Sequence, residues 1–121
     1  MLTIKETFDG YDEIRQAVSD VHITEVLADD IITPHGFIAY AYQADRVVIY
    51  DYDGSGDLNV CDGLVRSVLL KAVLRGLETA VFDVAETKRK PLIQLKFITD
   101  GNSVLNNINR LMNGCQGCKK D

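Results

Sequence analysis

Apolar residues recur through the middle of the chain at i, i+1, i+4, i+5, i+8 and i+9: Leu64, Val65, Val68, Leu69, Ala72 and Val73. This spacing predicts one amphipathic helix with a broad buried stripe. Gly76 follows where a helix exit takes the left-handed conformation, and Arg75 stands near the negative end of the helix dipole. Thr79-Ala80-Val81-Phe82 then predicts a short buried strand. The stretch from Asp57 to Asp83 thus reads as loop, helix, glycine exit and strand, which is half of an α/β layer.

The flanking patterns predict the remaining elements. Imperfect alternation over 2–7 predicts a strand, and Asp9-Gly10 a turn. Tyr11, Ile14, Ala17 and Val18 share one helical face, with Asp9 as the expected N-cap. Ile23–Ala28 predicts a strand, and Thr33–Gly36 a connection. Two β-rich runs, Phe37–Tyr42 and Arg46–Tyr52, flank a short polar link and predict an antiparallel hairpin. Strict alternation puts Val47, Ile49 and Asp51 on one face of the second run and Val48, Tyr50 and Tyr52 on the other. Asp53–Asp57 is rich in glycine and predicts a flexible loop. Pro91 suits a helix start before Leu92, Ile93 and Leu95. Phe97–Thr99 predicts a strand, and a last helix is expected from Asn102 or Ser103 through Met112, stopped at Gly114.

Composition narrows the class. At 121 residues the chain is expected to form one domain over 1–114 with a polar tail at 115–121. The apolar share of 46% and charged share of 26% suit a globular protein. A net charge of −5 argues against nucleic acid and against an anionic membrane as partners. The start of the chain lacks a signal-peptide pattern, so the expected location is cytoplasmic, and the three cysteines are expected as thiols or metal ligands.

Candidate chemistry sits in three places. Backbone N–H groups at Gly63, Leu64 and Val65, at the expected start of the central helix, would form an anion site, with Arg66 adding a charge-assisted bond. The same N–H groups would equally serve a cap from Asp62 or Asn59. Cys61 stands beside them, where a helix dipole favours thiolate and where Asp57 and Asp62 oppose it; a buried structural thiol is the simpler reading. Cys115-x-x-Cys118 has the spacing of half a zinc site or of a redox pair.

From Gly36 to Phe97 the chain resembles the GCN5-related N-acetyltransferase (GNAT) family. Cys61-Asp62-Gly63-Leu64-Val65 stands where that family has its R/Q-x-x-G-x-G/A loop, Gly76–Val81 resembles its "RG-IxxVxL" exit, and Leu92–Phe97 looks like its "LYxKxGF" end. Only Gly63 remains of the loop glycines, and Leu92 holds the place of a common catalytic tyrosine.

The resemblance implies an α/β (α+β) fold: a GNAT-like mixed, mostly antiparallel sheet with helices on both faces. It implies acetyl-CoA as cofactor and acetyl transfer to a small-molecule amine or peptide. Its cofactor-binding residues would be Ile49, Tyr50, Cys61, Asp62, Gly63, Leu64, Val65 and Arg66, the strand Val48–Asp51 pairing with the pantetheine arm. Asp51 is the candidate base, with Asp53 and Glu25 as further carboxylates, and Tyr52 or Tyr50 the candidate acid. The acidic balance favours a cationic acceptor such as a polyamine or a lysine-like amine. A monomer or homodimer is expected. The alternative is a non-catalytic GNAT-shaped domain acting as a metal- or redox-linked module through Cys115 and Cys118, with zinc as the candidate metal.

Overall fold

The structure, a computed structural model, describes residues 2–28 and 35–117. Six strands form one sheet in chain order: β1 (Leu2–Thr7), β2 (His22–Ala28), β3 (Gly36–Tyr42), β4 (Val47–Asp53), β5 (Ala80–Phe82) and β6 (Val104–Leu105). All neighbours are antiparallel except β4 and β5, which run parallel. A parallel pair needs a crossover, and α2 (Leu58–Leu74) supplies it. The sheet is therefore mixed and mostly antiparallel, as the family resemblance implied.

The predicted stripe on α2 is the centre of the core. Leu64, Val65, Val68, Leu69 and Ala72 are buried and Val73 is half-buried, with Val60 and Cys61 joining them from the preceding turn, against Ile38, Tyr40, Val47, Ile49 and Phe82 of the sheet. The opposite face is covered by α1 (Asp12–Ala17), whose Ile14 packs with Val21, Ile23 and Ala39. α1 starts from Tyr11 in the left-handed region (φ 59), so Asp9 is not its cap. Arg15 holds that entry instead, donating to the carbonyls of Gly10 and Thr7.

Gly76 behaves as predicted. It has φ 81, its N–H donates to the Val73 carbonyl, and the Leu77 N–H reaches back to Ala72. Together these bonds make a Schellman exit. The same exit ends α3 (Arg89–Gln94), which follows a 3-10 turn at Glu86–Lys88. Here Lys96 is the left-handed residue (φ 69), with Phe97 N–H on the Leu92 carbonyl. A side chain in that conformation costs about 1–2 kcal/mol that glycine avoids. Lys96→Gly is therefore expected to raise stability by about 0.5–1 kcal/mol after glycine's extra chain entropy, read as a higher urea midpoint.

Two C-terminal expectations differ from the structure. Phe97 and Ile98 are not a strand: the tight exit of α3 turns both side chains into the core, leaving only a Thr99–Asn102 bridge. Val104–Leu105 forms β6 and not a helical turn, because Val81 and Ala80 of β5 pair with it and Asn102 Oδ1 accepts from the Val104 N–H. Helix α4 begins later, at Ile108, and its backbone runs through Gly114 to Gly117.

Candidate active site

The site is built on an irregularity in β4. Tyr40 pairs with Ile49 and Ala39 with Asp51, so Tyr50 is one residue too many on its strand. Such a bulge reverses the face of every residue beyond it. Tyr52 accordingly joins Val47 and Ile49 in the core under α2, while Asp51 turns to the α1 side, where it lines a cavity with Tyr11, Ile14 and Phe37. This corrects the strict alternation expected from the sequence, which had Asp51 with Ile49 and Tyr52 with Tyr50.

The bulge also marks where β4 and β5 separate. Their parallel register ends at Ile49–Phe82, and the last bond between them runs from the Asp83 N–H to the Ile49 carbonyl at 2.8 Å. Past that point, side chains take the backbone groups of Tyr52. Asp51 Oδ1 accepts from the Tyr52 N–H at 2.8 Å, and Lys88 Nζ donates to the Tyr52 carbonyl at 2.6 Å. In return the Tyr52 hydroxyl donates to the Lys88 carbonyl at 2.6 Å. A reciprocal Tyr52–Lys88 latch therefore spans the split.

Two cavities flank the split. One, of 340 Å³, is lined by Tyr52, Gly54, Gly56, Asp57, Leu58 and Cys61, with Pro91 and Gln94 of α3 opposite. It opens at the N-terminus of α2. The other, of 540 Å³, includes Val48, Tyr50, Val81, Asp83, Arg89 and Ser103.

α2 begins earlier than its sequence pattern suggested, and this moves the anion site. Asp57 is the N-cap, its carboxylate accepting from the Asn59 N–H at 2.8 Å, and the Cys61 N–H already donates to the Asp57 carbonyl. The N–H groups of Gly63, Leu64 and Val65 are thus spent inside the helix, and Leu64 and Val65 are fully buried. Asp62 and Arg66 pair with each other at 3.0 Å, with the Arg66 guanidinium over the Phe97 ring. Neither capping by Asp62 nor anion binding at Gly63 is what the structure has. The N–H groups without an acceptor inside the helix are those of its first turn, at Leu58 and Val60.

Gly54 is needed just before that turn. A Cβ there would lie 3.1 Å from Cys61 Cβ and 3.2 Å from the Asp57 carbonyl oxygen, so any side chain would press the loop away from α2 by a few tenths of an ångström. The signal for this earlier start was present: Val60 and Cys61 continue the apolar stripe one turn back toward Asp57.

The other predicted residues are dispersed. Ile49 is fully buried, with its carbonyl in the sheet. Asp53 accepts from the Ser55 N–H, and Glu25 accepts from the Tyr11 hydroxyl at 2.6 Å. Cys61 is a buried thiol whose pKa desolvation pushes up, the Tyr52 hydroxyl partly countering. His22 bonds Glu6 and not a cysteine. Leu92 is fully buried in α3. Cys118 lies outside the described residues, as does the side chain of Cys115. Among the described residues no group of three or more His, Cys, Asp or Glu could hold a metal, and no helix is long and apolar enough to cross a membrane.

Tyr52 does not suit the acid role. Its hydroxyl is committed to Lys88, and burial raises its pKa well above the ordinary 10; burial also raises the pKa of Tyr40. Both phenols stay protonated in the folded chain at pH values where the unfolded chain has lost those protons. The unfolded state then binds fewer protons, so stability falls as pH rises. The contribution is complete below pH 10 and is expected to fade above it by up to about 1.4 kcal/mol per pH unit for each tyrosine. Urea midpoints between neutral and strongly alkaline pH measure this, and Tyr52→Phe should make the decline shallower.

The fold has solved counterparts. The ribosomal-protein-S18-alanine N-acetyltransferase from Escherichia coli superposes with a TM-score of 0.61 at 9% identity, over 88% of this chain and 94% of that one. A GNAT family acetyltransferase from Elizabethkingia anophelis, with acetyl-CoA bound, also gives 0.61, at 16% identity over 82% of this chain and 78% of that one. A putative GNAT acetyltransferase from Desulfovibrio desulfuricans gives 0.52 at 11% identity, over 68% of this chain and 72% of that one. The chain has a GNAT-like fold. No family profile and no curated protein sequence matches it, and at these identities the likeness is one of fold.

Proposed function

We propose that this GNAT-like protein is an N-acetyltransferase that takes its acetyl group from acetyl-CoA and passes it to an amine. The observation that carries this reading is the split between β4 and β5 at Tyr50, with a cavity at the α2 N-terminus and a second one lined by Tyr50 itself. Bound acetyl-CoA supplies the activated acyl group as a thioester.

The residues present fit such a ligand. The first-turn N–H groups of α2 and the positive end of its dipole suit a diphosphate. The outer edge of β4 suits an extended amide arm once the half-exposed side chains of Asp51 and Lys88 release the Tyr52 backbone. Asp51, 45% exposed and 3.8 Å from Lys88 Nζ, is the carboxylate placed to take a proton from an amine arriving on the α1 side. The Tyr50 hydroxyl makes no hydrogen bond to a described residue and is the available proton donor at the split.

Release of free CoA thiol from acetyl-CoA in the presence of an amine panel tests the reading. Acceptor-dependent release lost in Asp51→Asn supports it. Absence of both thiol release and any acetyl-CoA thermal shift contradicts it.

A further inference from the structure

The 540 Å³ cavity beside Tyr50 contains a buried cation without an ion-pair partner among the described residues. Arg89 is only 9% exposed. Its Nη2 donates to the carbonyls of Thr99 at 2.8 Å and Asp100 at 3.1 Å, its Nε is buried without a partner, and no described carboxylate pairs with it. A buried guanidinium satisfied only by backbone carbonyls is costly unless an anion joins it. The other arginine of the cavity, Arg46, is exposed and already held by Asp45. Arg89 is therefore the cation left for a ligand.

The rest of the wall restricts what that ligand can be. Val48, Val81 and Val84 supply apolar surface, and Asp83 and Glu86 add two carboxylates. Two carboxylates oppose a dianion such as phosphate and favour a ligand that also carries an ammonium. A guanidinium, in turn, favours a single carboxylate through a charge-assisted hydrogen bond.

We propose that this cavity binds an amino-acid-like amine: carboxylate on Arg89, ammonium toward Asp83 and Glu86, apolar side chain on the valines. The ligand's role as acyl acceptor rests on the acetyl-transfer reading, whereas its binding does not. The net acidity of the chain pointed to a cationic acceptor such as a polyamine or a lysine-like amine; the buried Arg89 points to an acceptor that also has an anionic end.

The test titrates the full chain, without acetyl-CoA, with L-leucine, 4-methylpentanoate and 3-methylbutylamine. L-Leucine is expected to bind best, and 4-methylpentanoate at least about tenfold more tightly than 3-methylbutylamine. Arg89→Met should weaken L-leucine by about tenfold or more, with Arg89→Lys in between. If Arg89→Met does not fold, the three-ligand series on the unaltered chain decides alone. Equal or tighter binding of 3-methylbutylamine, or no binding of L-leucine at millimolar concentration, overturns the proposal. Because no acetyl-CoA is present, L-leucine binding is read independently of transfer: binding here, together with no thiol release and no acetyl-CoA thermal shift in the separate assay, would refute the enzymatic reading and keep the site.

Discussion

Leu64→Ala is expected to destabilise the protein by about 3–4 kcal/mol, within the range of buried leucine truncations. Leu64 is fully buried at the centre of α2, in the layer that faces β3 and β4. The helix and sheet are held apart by their other buried residues, so the site would collapse only in part and a cavity would remain. Set against typical total stabilities of roughly 5–15 kcal/mol, the loss should move the urea midpoint sharply with the slope unchanged. Leu70 on the same helix is half exposed and provides the control: Leu70→Ala should cost less than about 0.5 kcal/mol. Equal losses from the two variants would mean that α2 does not bury the face described here.

The second large effect concerns the ligand at the head of that helix. Leu58 is the first residue of α2, is 42% exposed and lines the 340 Å³ cavity. A glutamate there suits the helix dipole, so Leu58→Glu should leave stability unchanged or raise it by a few tenths of a kcal/mol. The same charge repels a diphosphate across a few ångströms by about 1–2 kcal/mol, and acetyl-CoA should bind about tenfold more weakly. Asp57→Asn works in the opposite sense. Asparagine caps as well as aspartate, and removing the charge should tighten acetyl-CoA severalfold. Calorimetry on the two variants gives affinity, and thermal melts give stability. A parallel loss of both in Leu58→Glu would show that the substitution acts through folding.

The sequence made some features legible and concealed others for physical reasons. The stripe on α2, its exit at Gly76 and the β3–β4 hairpin rest on periodicity and a glycine conformation, which are local properties. The sequence pattern starts α2 too late because Gly63 has the look of a loop glycine, whereas it sits in the second turn with room for its missing side chain. Asp57, Val60 and Cys61 carried the correct boundary.

The faces of Asp51 and Tyr52 could not be read, since the bulge at Tyr50 arises from pairing with Ala39 and Tyr40 on another strand. Arg89 was hidden inside a charged run, Glu86–Lys90, that looks solvated; its burial comes from the loop at Thr99 and Asp100 folding back over α3. The short β6 was read as helix because only the open edge of β5 makes Val104 and Leu105 a strand.

The central claim is that acetyl-CoA docks its diphosphate on the first turn of α2. Backbone amide NMR during an acetyl-CoA titration tests it most directly. The largest shifts are expected at Gly54, Gly56, Leu58, Asn59 and Val60, with smaller ones at Tyr50–Tyr52 and little change at Gly63–Val65. Shifts centred on Gly63–Val65, or none along 54–60, would contradict it.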